Sequence, residues 1–402
     1  MNIAIAILGL GLLVLVHEAG HFFASLAVGL RPRRFYLGFP PAIVKVKKRG
    51  IEYGIGVVPL GGFVTIPGMH RPISHDAERR FSRAVSEVPS LAGPYDRLRR
   101  ALDGEDVEAS QAALDELEQS LHERRLSPEA ASSAGRGLGE LRDALGPDAY
   151  WKADTWRRLV AILAGPVANI LLAIVLLTVL FMTGSVKPSR IVAGVEKGSP
   201  AQKAGIVAGD RVVAINGQAV TAQNLPDAIL SSNGRPVTVT VDRNGTTHTL
   251  RAVTPMRTPE GYRIGIVRKG VGVPPGEAFV RSLEWTGIIT KETGAALAHL
   301  ARGQGRKDVS SPIGIVRGSA DAVDQGTSSY LWVLSLVSLS LALLNLLPLL
   351  PLDGGHVLFT LVEGARGRLV RREVYERVSF VGLAVVALLF FLGLSNDIGG
   401  LS

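Results

Sequence analysis

Four stretches of the chain are almost wholly apolar, roughly residues 3–29, 159–184, 330–352 and 377–396. Each is close to the ~20 residues a helix needs to cross a bilayer core, and none is long enough to cross twice. The pattern predicts a polytopic α-helical membrane protein with about four transmembrane helices. Residues 43–46 and 54–64 then alternate apolar and turn residues, as in Tyr53-Gly-Ile-Gly-Val-Val-Pro-Leu-Gly-Gly-Phe-Val. This predicts a membrane-associated β-hairpin region whose backbone must be shielded by protein or water. Residues 70–152 interleave charges with alanine and leucine at helical spacing, punctuated at Gly93-Pro94, Ser127-Pro128 and Gly146-Pro147. Two or three solvated helices are expected there, as a cytoplasmic helical insertion without a metal-ligand cluster. His70 and His75, which flank it, read as surface residues.

Residues 186–270 change period again. Short strands such as Arg211-Val-Val-Ala-Ile and Val237-Thr-Val-Thr-Val, turn signals at Asn216-Gly217 and Asn244-Gly245, and a helical piece at 224–231 predict a compact α+β unit. An amphipathic helix over 278–302 follows, with a loop containing Ser311-Pro-Ile-Gly-Ile-Val-Arg317. The expected segments are therefore 1–69, 70–152, 153–185, 186–270, 271–329 and 330–402.

Composition sharpens this picture in two places. The net charge of +9 would suit nucleic-acid binding if the cations covered a soluble face. Instead they cluster beside the spans: Arg31, Arg33, Arg34, Lys45, Lys47, Lys48 and Arg49 after the first, Arg157 and Arg158 before the second, and Arg366, Arg368, Arg371 and Arg372 between the third and fourth. The positive-inside rule puts these segments in the cytoplasm and both termini with residues ~185–329 outside, with membrane lipid as a partner and no nucleic acid. Cysteine is absent, so thiolate ligands, disulfides and a cysteine nucleophile are excluded and any metal must sit on histidine and carboxylate. A cleaved signal peptide is the weaker reading of the first span, which lacks a basic n-region and carries three ionisable residues.

Those three residues carry the chemistry. In His17-Glu-Ala-Gly-His21 the imidazoles are four residues apart, so a helix stacks them on one face at a spacing one Zn²⁺ can bridge. Glu18 beside them suits a general base acting on a water whose acidity zinc raises. Ionisable groups inside an apolar span are costly unless they bind something or line a wet cavity. Zinc needs a third protein ligand at the same depth. The third span ends in Asn345-Leu-Leu-Pro-Leu-Leu-Pro-Leu-Asp-Gly-Gly-His356, where two prolines break the helix beside Asp353, the favoured ligand, with His356 a weaker competitor.

Two resemblances follow. The run Gly198-Ser-Pro-Ala-Gln-Lys-Ala-Gly-Ile-Val-Ala-Gly-Asp210, with the strand and turn after it, resembles PDZ domains, which take up extended peptides by strand addition, so peptide termini are implied partners. HEAGH in the first span, Asn345-x-x-Pro-x-x-Pro-x-Asp-Gly in the third and the PDZ between them resemble the site-2 protease family, in its bacterial RseP-type branch. That resemblance covers nearly the whole chain except 70–152. It implies zinc on His17, His21 and Asp353, Glu18 as the catalytic glutamate, and Asn345 at the substrate. Gly165-Pro-Val-Ala-Asn169 resembles the family's GxxxN element, where small Gly165 would permit close helix packing and Asn169 a polar contact, with both expected at the substrate, and residues 54–64 resemble its substrate-receiving β-loop. The fold implied is a four-helix membrane core with an extracytoplasmic PDZ in a bacterial inner membrane and an active site near the cytoplasmic side. The activity implied is cleavage within transmembrane substrates already trimmed by another protease, such as anti-sigma factors or signal-peptide remnants. The sequence departs from members related to the enterobacterial enzyme, which carry tandem PDZ domains, in having one, and the insertion is a second departure. A catalytically silent PDZ adaptor and a metal transporter are the competing readings.

Overall fold

The computed structural model describes residues 1–104, 106–184, 187–258 and 261–399. The expected segment ends at 185, 186 and 400–402 lie outside the described residues. Among those described, four helices are long and apolar enough to cross a membrane: α1 (Asn2–Ala27), α6 (Thr155–Thr183), α11 (Thr327–Asn345) and α13 (Arg372–Gly399). They expose large side chains such as Leu8, Leu171, Phe380 and Leu388, as suits helices whose outer faces meet lipid. The chain divides into two compact units, one of Met1–Leu172, Ile289–Asp321 and Leu336–Ser402, the other of Ala173–Ile288 and Ala322–Ser335.

In the first unit, α1 leads into β1 (Arg34–Lys48) and β2 (Ile51–Thr65), joined by a tight turn at Arg49 and Gly50, both at positive φ. These strands are longer than the expected pieces at 43–46 and 54–64, because each bends and pairs twice. Lys48 to Ala42 pairs with Ile51 to Gly56, whereas Arg34 to Leu37 pairs with Glu52 to Ile55 on one side and Thr65 to Gly62 on the other. The outcome is four lanes, with the 62–65 lane at a free edge among the described residues. Ile43, Val44, Val46, Ile55 and Val57 are exposed, an apolar patch of the kind that marks a membrane-contacting surface.

Among the described residues the insertion forms four α-helices rather than two or three: α2 (Ser74–Glu87), α3 (Ala92–Asp103), α4 (Val107–His122) and α5 (Pro128–Leu145). They share a core of their own, with Phe81, Leu98 and Leu117 fully buried. Gly93-Pro94 misled the count because it falls in the first turn of α3, where proline's missing N–H costs nothing. Ser127 accepts from the Ala130 N–H and caps α5, with Pro128 at its first position. The insertion is anchored near both ends. Arg33 donates to Asp143 and Asp148 at 2.8 Å, Arg372 to Asp76 at 2.5 Å, and Tyr150 N–H to Pro67 C=O at 2.9 Å.

The third apolar stretch is helical only to Asn345. Residues 346–352 then turn irregularly before a helix that sequence reading missed, α12 (Asp353–Arg366). Its two leading glycines are required by packing, since a Cβ on Gly354 would strike the Leu346 and Leu347 carbonyls and one on Gly355 the Leu349–Leu350 backbone. The expected loop around Ser311 is also a helix from Pro312 (α10, Pro312–Gln325). Ser311 Oγ accepts from the Ile313 N–H, and Asp397 accepts from the Ser311 and Gly314 N–H groups. Ser-Pro is here a cap followed by a first helical residue, not a turn.

The second unit contains a sheet in the order β10-β3-β4-β6-β7, with β5 paired to β4. The strands are β3 (Lys187–Val195), β4 (Arg211–Ile215), β5 (Gln218–Ala219), β6 (Val239–Arg243), β7 (Thr246–Thr249) and β10 (Ile266–Val271), and β8 (Met256–Thr258) with β9 (Gly261–Arg263) makes a separate hairpin. Two short helices, α7 (Pro200–Lys203) and α8 (Leu225–Leu230), pack on Val192, Val212, Val239 and Ile264. Both expected turns occur, with Asn216-Gly217 and Asn244-Gly245 at positive φ. Asp210, fully buried, takes two hydrogen bonds from Arg243 at 2.7 and 2.8 Å and one from the Val207 N–H. The guanidinium holds its carboxyl below the usual carboxylate range. A groove of about 250 Å³ lies between α8 (Leu225, Ile229) and the Ile264–Arg268 stretch leading into β10, an edge strand of the sheet. The long helix α9 (Pro275–Ala301) begins in this unit, as expected from residues 278–302.

Candidate metal centre

His17 and His21 lie one turn apart on α1, 6 % and 8 % exposed, and Asp353 opens α12. The three side chains converge. His17 Nε2 is 3.2 Å from Asp353 Oδ2, His21 Nε2 is 3.3 Å from the same oxygen, and the two Nε2 atoms are 3.2 Å apart. A tetrahedral zinc site with bonds near 2.1 Å separates its ligand atoms by about 3.4 Å, so this triangle has the size of one face of such a site. Its electronics agree. Asp353 Oδ2 is buried without a hydrogen-bond donor, and His21 Nδ1 is 2.9 Å from the Ala161 carbonyl. A proton on Nδ1 donates to that carbonyl and leaves Nε2 with a free lone pair aimed at the triangle. Two imidazole lone pairs and a carboxylate oxygen meeting in a buried space fit a divalent cation. His17, His21 and Asp353 are the residues that would hold it.

The helices explain the convergence. Gly20, inside the His17–His21 motif, lets α1 approach α6 so closely that a Cβ there would meet the Ala164 carbonyl and the Ala168 methyl. Small residues facing each other permit this contact between apolar helices. It brings the Ala161 carbonyl to His21, and it brings Gly165 and Asn169 behind the histidines. A Cβ on Gly165 would collide with the His21 ring. Asn169 is fully buried, its amide 3.4 Å from His17 Nδ1, and its backbone carbonyl accepts from Ser338 Oγ at 2.9 Å. Asn169 Oδ1 has no other partner, so the amide rotamer that turns Oδ1 to the His17 Nδ1–H satisfies both groups and again frees Nε2.

Asn169 and Gly165, expected near the substrate, stand behind the metal-facing histidines and do not line the cavity. Asn169→Ala is expected to weaken zinc binding by about 10–100-fold in chelator competition, and Asn169→Asp to lose less because a carboxylate accepts the same Nδ1–H. Unchanged affinity in Asn169→Ala would remove this role.

Glu18 and Asn345 do reach the cavity. Both line a space of about 430 Å³ together with His17, His21, Asp353 and the Gly61–Val64 stretch of β2. Gly62 admits Glu18, whose Cγ would be 2.9 Å from any Cβ added there. The free 62–65 edge thus borders the cavity that holds the glutamate. His356 lines the same space but stands outside the triangle and faces the Tyr375 ring at 6.3 Å. Sequence reading missed Gly20, Ala161 and Ser338, although the run of small residues over 161–168 was a visible sign of close helix packing. It also missed the supports beneath α12: Tyr150 hydroxyl with Thr360 at 3.1 Å, and Arg158 with Glu363 at 2.6 Å, both charged partners buried.

Comparison with known proteins agrees with this chemistry. Residues 5–389 match Peptidase family M50. The chain is 28% identical over 407 residues to the zinc metalloprotease RasP of Geobacillus kaustophilus, covering 96% of this chain and 95% of that protein. It is 28% identical over 411 residues to the regulator of sigma-W protease RasP of Bacillus subtilis, covering 96% of each. It is also 28% identical over 426 residues to the zinc metalloprotease RasP of Bacillus licheniformis, covering 99% of each. With two histidines and an aspartate sized for zinc and a glutamate in the same cavity, the chain belongs to peptidase family M50 and is a membrane zinc metalloprotease of the site-2 type.

Proposed function

We propose that the protein hydrolyses a peptide bond within a transmembrane segment of its substrate, near the cytoplasmic face of a bacterial inner membrane. The observation that carries this reading is the cavity in which Glu18 and the His17–His21–Asp353 triangle share a wall with the free 62–65 strand edge. A helical substrate hides its carbonyls in its own hydrogen bonds, so it must unwind before attack. The outer side of the 62–65 lane, where the Val64 N–H meets the Glu18 carboxylate, offers an extended segment backbone partners by strand addition. Bound zinc supplies Lewis-acid polarisation of the scissile carbonyl and acidifies the attacking water. Glu18 accepts that water's proton and passes it to the leaving amine. Asn345, at the end of α11, donates to the substrate backbone, while Asn169 and Ala161 keep both Nε2 atoms unprotonated.

The remaining assignments belong to the same proposal. Segment 1–69 is the first span with the β-region, 70–152 the cytoplasmic insertion, 153–185 the second span, 186–270 a single extracytoplasmic PDZ, 271–329 an amphipathic helix and connector, and 330–402 the last spans with Asp353. Basic residues beside the spans support this orientation. The groove between α8 and β10 supports peptide-terminus recognition, because an edge strand beside a helix is the arrangement that accepts an added strand. Substrates of this kind include anti-sigma factors and signal-peptide remnants already trimmed outside the membrane.

The test is product mapping with a single-pass reporter whose ectodomain is either intact or removed. Cleavage inside the apolar segment, confined to the trimmed form, is the expected result. A cut outside the membrane segment would overturn the reading, and a zinc-free purified protein would favour the adaptor.

A further inference from the structure

A second and larger cavity lies away from the metal triangle. It is an open cleft of about 950 Å³ between the α12–α13 connection, the chain leading into the insertion, and the end of α3, with Arg366 and Arg368 exposed at its rim. Its wall is rich in arginine: Arg71, Arg158, Arg366, Arg368, Arg371 and Arg372. The acids there are already engaged. Glu363 accepts from Arg158 at 2.6 Å and from the Val370 N–H at 2.9 Å, Glu373 lies 3.1 Å from Arg371, and Asp103 accepts from the Ser74 N–H at 3.2 Å. Arg372 is held by Asp76 and Glu376, and Arg71 stacks over Trp151. Arg366 and Arg368, on either side of Gly367, have no acidic partner among the described residues. Arg158 is 6 % exposed, and its Nε is buried with no partner.

Charge meant only to orient a span does not require arginines from three separate segments to line one cleft, some paired and others not. Concentrating like charges around one space is unfavourable unless an anion enters it. Guanidinium forks approaching from several sides match an anion with several acceptor oxygens.

We infer that this cavity binds a phosphate-bearing anion, held chiefly by Arg366 and Arg368 with Arg71 and Arg158 behind them. The anion is either a phospholipid headgroup or a soluble phosphate compound; the chemistry recognised is the same. Because one wall is the α12 end and the other the insertion, an occupant would bridge the helix that begins with Asp353 to the block between β2 and α6. The inference does not depend on peptide hydrolysis.

The test uses the full chain in neutral detergent, with inorganic pyrophosphate and short-chain phosphatidylglycerol as probes and phosphatidylcholine of the same length as the uncharged comparison. Arg366→Gln with Arg368→Gln is expected to weaken binding about tenfold or more without lowering the melting temperature. Lys47→Gln with Lys48→Gln, which removes equal charge from β1, is expected to leave affinity within about twofold. Binding of phosphatidylglycerol alone assigns the site to lipid, and binding of pyrophosphate assigns it to a soluble phosphate. Failure of both probes to bind, or equal losses in the two double variants, overturns the site.

Discussion

Glu18→Gln is expected to retain its zinc and lose about 10²–10⁴-fold in the rate of reporter cleavage, the range a positioned general base supplies. The amide keeps the shape for which the missing side chain of Gly62 leaves room, so packing between α1 and β2 is undisturbed and the loss isolates proton transfer. Metal analysis and single-turnover cleavage on the same sample separate the two contributions. Cleavage at the original rate would remove Glu18 from the chemistry, whereas loss of zinc would make it a structural residue instead.

Asp353→Ala has the other large effect, and it acts on the ion. With one of three ligands gone, zinc affinity is expected to fall by more than the 10–100-fold typical of losing an outer partner such as Asn169. Activity falls with it, and added zinc no longer raises the melting temperature. The loop over 346–352 is shaped by Gly354 and Gly355 against backbone carbonyls, so the helix start survives the substitution. Full zinc occupancy in this variant would transfer the third-ligand role to another group, for which His356 on the same cavity wall is the nearest alternative.

The parts of the site legible in the sequence are those fixed by short covalent spacing. Two histidines four apart on a helix must share a face, and a carboxylate at a proline-broken span end must stand near exposed backbone. Neither conclusion needs the rest of the fold. Asn169 and Gly165 were visible as a pattern, but a pattern on one helix says nothing of which neighbour it meets. Only the contact of α6 with α1, set by Gly20, shows that they face the histidines. Helix punctuation failed for a related reason: Gly93-Pro94 and Ser311-Pro312 can end one element or begin another, and burial of Leu98 in one case and the Asp397 contacts in the other decide it. The double pairing of β1 with β2 across a bend was invisible, because alternation reports faces and not partners.

The insertion's anchors have a mechanical consequence. Arg33 stands just ahead of β1 and Arg372 begins α13, and both are gripped by carboxylates of one helical block with its own packed core. Such a block behaves as a lever with two attachment points. A load applied to its far end, at the α4–α5 turn, cannot move Arg33, whose N–H holds the Thr65 carbonyl at the end of the cavity-lining strand β2, without also turning the first residues of the last membrane helix.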